Sequence, residues 1–208
     1  MELSPREVLD QLQQVWQNES LAPELLVHRF ELVDCVVDQL NGMEENLKKA
    51  GHRTNPIRAQ AHRLELDRIR FLVTSYTRKR LEKIEKCVHH YLDEDERLKK
   101  SGQSARMSDE ERKFAAEYGQ IVSKHLESSV LHHLPGTLRT LDLLEIGPEP
   151  NLNHYVFVRA KQRCEDVSVR SSSDVAREDL LDLEPRSQHL LPYKAVSSEL
   201  RRGALCLI

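Results

Sequence analysis

Ten histidines, four cysteines and one dense run of basic residues are the side chains of this sequence with chemistry to offer. The histidines include two doublets, His89-His90 and His132-His133, which suggest metal ligation. Neighbours on a helix point about 100° apart, so neither doublet can grip one ion alone. No His-Glu-x-x-His motif and no carboxylate cluster completes such a site. Cys35, Cys87, Cys164 and Cys206 are far apart and form no Cys-x-x-Cys pair, which suits unpaired thiols in a reducing compartment. Cys35 lies beside an apolar helical seam with no histidine in register and reads as a structural thiol. There is no Gly-x-Ser-x-Gly, no phosphate loop, and only seven glycines in 208 residues. No catalytic residue, metal or cofactor is expected.

The basic run is RIRFLVTSYTRKRLEKIEK, Arg68 to Lys86. It raises the question of nucleic acid, yet the chain has a net charge of −3 and a pI near 6.4. A dedicated nucleic-acid binder usually has a basic domain with a pI above roughly 9. At about 100° per residue, Ile69, Leu72, Val73 and Tyr76 fill one arc, Phe71 and Leu64 lie nearly opposite, and Leu81 takes a third direction. Arg68, Arg70, Arg78, Arg80 and Lys83 project all around the axis instead of forming one stripe. Arg80 falls inside the apolar arc, where a guanidinium needs a carboxylate, and Glu44 and Glu45 are candidates. The segment therefore reads as an assembly helix. Direct DNA binding through residues 68–86, centred on Arg78-Lys79-Arg80, is the rival reading.

The elements that must place these residues are mostly long helices. Ser4, Pro5 and Glu7 open the first with a capping box, and Val8, Leu9, Leu12, Val15 and Trp16 form its apolar face. A second helix is expected from near Pro23 to Gly51, with the seam Leu26, Phe30, Val33, Val37, Leu40, Met43 and Leu47, the last two in the core. A third follows Pro56 and runs to about Asp95. After a polar loop at 98–106, Ser108 and Glu111 form another capping box for a helix reaching toward Pro135. Gly147-Pro148-Glu149-Pro150 is a helix-breaking linker. Beyond it, strands are expected at 154–159, 180–183, 189–193 and 204–208, with a polar loop at Ser171-Ser172-Ser173-Asp174. The fold class is mainly α, an N-terminal long-helix bundle domain (1–146) followed after a linker (147–150) by a small β-rich C-terminal domain (151–208). A module that small is marginal alone and must lean on the helices or on another chain. Its last strand sends Leu205 and Leu207 to one side and Ala204, Cys206 and Ile208 to the other, so both faces should be covered. No apolar run is long enough to cross a membrane, and the N-terminus has no apolar signal region.

Several blocks in order carry a resemblance: Trp16-Gln17-Asn18-Glu19, Ala22-Pro23-Glu24-Leu25-Leu26, Met43-Glu44-Glu45-Asn46-Leu47, Ser75-Tyr76, Arg80-Leu81, Lys83-Ile84-Glu85, Tyr155-Val156-Phe157, Ser187-Gln188-His189-Leu190 and Leu207-Ile208. Together they resemble the Sld-five family of the eukaryotic GINS complex. The resemblance implies a nuclear, non-catalytic subunit of a heterotetramer with three related GINS subunits. It implies joining the MCM motor ring and the Cdc-forty-five protein in the replicative helicase, helping to tether a replicative polymerase, and meeting DNA only indirectly. Trp16, Tyr76, Arg80, Leu81, Ile84, Tyr155, Phe157, Leu205, Leu207 and Ile208 are the candidate assembly-interface residues. The chain starts almost at its first helix, without the acidic extension through which some relatives bind a replisome adaptor, so that contact is not carried over. Glu184-Pro185-Arg186-Ser187 stands where the family commonly has a glycine, and Pro192 where a basic residue is common, so an altered turn is expected.

Overall fold

The computed structural model describes residues 4–50, 55–102, 104–135, 147–170 and 178–208. Its helices are α1 (Pro5–Leu21), α2 (Phe30–Ala50), α3 (Pro56–Lys86), α4 (Val88–Lys100) and α5 (Asp109–Ser129), then a 3-10 turn at Leu131–His133. The C-terminal region holds β1 (Tyr155–Ala160), β2 (Cys164–Arg170), β3 (Glu178–Leu183), β4 (Gln188–Pro192), α6 (Tyr193–Arg202) and β5 (Leu205–Leu207). The fold is mainly α with a small strand-rich C-terminal region. The expected helix stop at Gly51 and the polar loop at 171–174 lie outside the described residues.

Both capping boxes form. Ser4 Oγ accepts from the Glu7 N–H and Glu7 Oε2 accepts from the Ser4 N–H at 2.8 Å. Ser108 and Glu111 repeat the exchange at 3.1 and 3.0 Å. Two helix boundaries differ from expectation. The second helix begins at Phe30, not near Pro23, because the intervening backbone spends its polar groups on side chains elsewhere, as described below. The third does not run to Asp95: it breaks at Cys87, whose φ of −129° and ψ of 43° end α3, and α4 restarts at Val88. No proline or glycine marks the break. Around it Ile84, Val88 and Tyr91 enter one buried cluster with Leu25, Met107 and Ala115.

The chain divides into two compact units. One comprises Met1–Glu24, Glu31–Tyr76 and Asn151–Ile208; the other comprises Leu25–Phe30 and Thr77–Pro150. In the first, Val8 and Leu12 of α1, Val33, Val36 and Leu40 of α2, and Leu66, Ile69, Leu72 and Tyr76 of α3 are buried. Trp16 Nε1 donates to Ser75 Oγ at 2.9 Å, and Arg70 of α3 pairs with Glu44 of α2. Met43 and Leu47 are not core residues: Met43 is exposed and Leu47 half-buried, beside an open groove of about 470 Å³ lined also by Asn46, Arg58, His62, Glu65 and Leu66.

The C-terminal part of this unit is a three-stranded antiparallel sheet in the order β4-β1-β5, a β2-β3 hairpin, and α6. Along β1 burial alternates: Val156, Val158 and Ala160 point inward, while Tyr155, Phe157 and Arg159 point outward. Tyr193, Val196 and Leu200 form the buried face of α6, which ends at Gly203 in the left-handed region at φ 79°. Leu205, Cys206 and Leu207 are all buried, so the last strand is covered on both faces as its composition predicts. The cover comes from within the chain. The Leu207 N–H donates to Asn18 Oδ1 at 3.0 Å, and the Tyr193 hydroxyl and Arg201 both donate to the buried Glu24 carboxylate at 2.8 Å.

The Glu184–Ser187 turn closes without a glycine. The Ser187 N–H donates to the Glu184 carbonyl at 3.1 Å, with Pro185 second and Arg186 third at φ 69°. A left-handed conformation costs a non-glycine residue about 1–2 kcal/mol, partly offset by the freedom glycine adds to the unfolded chain. Arg186→Gly should therefore stabilise the protein by about 0.5–1 kcal/mol, read as a higher urea midpoint; a lower midpoint would show the turn is not strained.

Candidate functional site

Arg80 is completely buried and makes at least four hydrogen bonds. Its Nε and Nη2 donate to Glu111 Oε1 and Oε2 at 2.7 and 2.9 Å, a two-pronged grip on one carboxylate. Nη1 donates to the Leu26 carbonyl at 2.8 Å and Nη2 also reaches the Arg106 carbonyl at 2.9 Å. The guanidinium lies 6.0 Å from the centre of the Phe30 ring. The expected charge partner is found, but it is neither Glu44 nor Glu45. Glu44 is held by Arg70 and Glu45 by Lys49. Glu111 serves because the first turn of α5 points its capping carboxylate inward, where Oε2 accepts from both the Ser108 N–H and Arg80.

The same hub explains the missing start of the second helix. Segment 25–28 has no helix or strand of its own, yet buried backbone groups must be paired. The Leu25 N–H donates to the Tyr91 hydroxyl at 3.0 Å and the His28 N–H to the Arg106 carbonyl at 3.1 Å. Arg106 Nη1 donates to the Leu25 carbonyl at 3.1 Å, and its other arm is held by Glu94 at 2.8 Å. Arginines thus do for this segment what a helix would have done.

The rest of the basic run is also largely engaged. Arg68 holds Glu65 through two bonds at 2.9 and 2.7 Å, Arg70 holds Asp67 at 3.2 Å, and Lys79 holds Glu82 at 2.9 Å. Among the described residues no group of three histidine, cysteine or acidic side chains is placed to hold a metal ion. Burial pushes the Cys87 and Cys164 thiols up, away from the thiolate form a nucleophile needs.

The sequence-derived candidates separate into two kinds of position. Tyr76, Arg80, Ile84, Leu205 and Leu207 lie inside the chain's own cores. Trp16, Leu81 and Ile208 are half-buried. Tyr155 and Phe157 are 57 % and 59 % exposed, on the outward face of β1. Phe157 faces Leu190 of β4, itself 52 % exposed, Tyr155 faces Pro192, and the Ile208 N–H donates to the Phe157 carbonyl. Two strands, β1 and β4, thereby place Tyr155, Phe157, Leu190 and Pro192 in register on the outward face. Leu190, Glu24, Asn18 and Glu111 were not singled out from sequence as functional. Period-two reading of 188–192 would have found Leu190; the other three act through partners distant in sequence.

Comparison with known proteins adds a family to this geometry. Residues 36–130 match the family described as the GINS complex protein helical bundle domain, and residues 150–208 match the DNA replication complex GINS protein SLD5 C-terminus. The mouse protein called DNA replication complex GINS protein SLD5 is 42 % identical over 208 residues, covering 100 % of this chain and 92 % of its own length. The chain belongs to the SLD5 family. The human relative of the same name is 40 % identical over 99 % of this chain and 91 % of its own, and the Arabidopsis thaliana SLD5 is 29 % identical over 95 % and 89 %. The family's two parts thus fall on the helices around Arg80 and on the sheet that carries Phe157.

Removing one member of a buried pair strands the other, at about 3–5 kcal/mol. Arg80→Ala and Glu111→Ala should each lower the unfolding free energy by that amount in urea titration, and the double variant by less than their sum. The exposed Lys100→Ala should change it by less than about 0.5 kcal/mol. Equal effects from all three would contradict the hub.

Proposed function

We propose that this SLD5-family chain is a non-catalytic structural subunit of a GINS heterotetramer acting in DNA replication in the nucleus. Its partners are three related GINS subunits. Within the replicative helicase the tetramer joins the MCM motor and the Cdc-forty-five protein, and it helps to hold a replicative polymerase.

The observation that carries this reading is the outward sheet face of Tyr155, Phe157, Leu190 and Pro192. Scattered surface hydrophobics are ordinary, but apolar residues in register on neighbouring strands mark a protein contact. The bonding of the basic run supports the same reading over the rival one. Arg68, Arg70, Lys79 and Arg80 are engaged by carboxylates of the chain itself, which weakens their pull on phosphates. Contact with DNA is then indirect, through the other members of the helicase.

Co-expression with the three related subunits tests the proposal. The four chains should elute as one particle with equal stoichiometry. Phe157→Asp or Leu190→Asp, at positions too exposed to unfold the chain, should lower incorporation at least tenfold. A wild-type chain that elutes apart from the other three, or that binds duplex DNA tightly at physiological salt, would overturn the reading.

A further inference from the structure

A serine directly followed by glutamine occurs once in the 208 residues, at Ser187-Gln188. This is the pair that glutamine-directed serine kinases read. The structure sets it where an exposed turn runs into β4, at the edge of its sheet. Glu184, Pro185, Arg186 and Gln188 are exposed, while Ser187 and His189 are half-buried. From Gln188 onward the backbone is already extended, a common form of recognised peptide. The Gln188 side chain is ordered as well as exposed: with its oxygen turned toward donors, it accepts from Arg159 Nη2 at 2.8 Å. Other hydroxyls are committed elsewhere, since Ser4 and Ser108 cap helices and Ser75 accepts from Trp16.

The Ser187 hydroxyl has two neighbours whose roles follow from counting protons. Its single proton goes to the Glu184 carbonyl at 2.6 Å, because a carbonyl can only accept. His189 Nε2, at 2.8 Å from the same oxygen, must then carry a proton and donate to it. An imidazole N–H aimed at the serine oxygen is still a donor after that oxygen is esterified. We propose that Ser187 is a phosphorylation site for a glutamine-directed serine kinase, and that His189 holds the phosphate once it is in place. In the transfer, the γ-phosphorus of a nucleoside triphosphate bonds to Ser187 Oγ as its bond to the bridging β-phosphate oxygen breaks. The hydroxyl proton passes to the kinase's base, and the nucleoside diphosphate leaves.

Phosphorylation exchanges one neighbour and keeps the other. Oγ can no longer donate to the Glu184 carbonyl, and the added charge of about −1.5 to −2 repels that oxygen. The backbone bond of the turn, from the Ser187 N–H to the same carbonyl at 3.1 Å, does not need the hydroxyl. His189 gains a phosphate oxygen as acceptor, a charge-assisted bond stronger than the one it replaces. Side chains alternate along a strand, so the phosphate stands with His189 on the side opposite Leu190. The site is therefore separate from the outward face of Phe157 and Leu190 and does not rest on what covers that face.

The test uses the isolated full chain with a glutamine-directed serine kinase and adenosine triphosphate. Fragment mass analysis should place the phosphate on Ser187. Ser187→Ala should lower incorporation at least tenfold, and Gln188→Ala should do the same with the hydroxyl still present. In the phosphorylated chain, His189→Leu should move the phosphorus NMR resonance and let a serine phosphatase remove the group severalfold faster. His189→Gln, which restores an N–H donor, should return both toward the wild-type values. Undiminished incorporation in Ser187→Ala, or an unchanged rate in Gln188→Ala, overturns the site. Phosphate on Ser187 whose resonance and removal rate are the same in His189→Leu overturns the role of His189.

Discussion

A guanidinium with no solvent exposure is stable only when its charge and its donors are answered, and Arg80 draws three separate stretches of chain to one point to do so. Glu111 from α5, the Leu26 carbonyl from the extended segment and the Arg106 carbonyl from the polar loop all converge on it. Much follows. Residues 25–28 stay out of the second helix, the loop before α5 closes, and Leu25 is delivered to the cluster of Ile84, Val88, Tyr91 and Met107. Arg106 bonds the Leu25 carbonyl and Tyr91 its N–H, so a short irregular segment is satisfied without being regular.

Helix α3 shows what such anchoring permits. Its inward seam and Arg80 fix the helix by burial and by charge, while on its outward side Phe71 leans edge-on against Trp16, with 6.5 Å between ring centres. The small C-terminal region repeats this economy: Val156, Val158 and Ala160 supply the core, Asn18 and Glu24 bond it to residues around the end of α1, and Phe157 and Leu190 remain outside.

What the sequence made legible was local. The capping boxes at Ser4 and Ser108 need only four residues each, and the fold class follows from long apolar periods giving way to short β-branched runs. The burial of Arg80 was visible in its helical angle; its partner was not, because Glu111 lies 31 residues away and had an evident role as a cap. The break at Cys87 escaped because neither glycine nor proline marks it. Strand β2 was hidden by a register shift between Cys164 and Val167, with Asp166 at φ 58°, which breaks the alternation a strand reading depends on. The spacing of Tyr193, Val196 and Leu200 does suit a helix, but it follows directly on strand β4, and the expected strand absorbed its first residue.

The central claim is that the chain buries its own core around Tyr76 and Arg80 and leaves the sheet face of Phe157 and Leu190 open for a partner. Hydroxyl-radical footprinting of the chain alone and in the four-chain particle tests it most directly. Tyr76 should be protected in both, while Phe157 and Leu190 should react freely in the isolated chain and become protected on assembly. Unchanged reactivity of Phe157 and Leu190 in the particle, or a reactive Tyr76 in the isolated chain, would contradict the account.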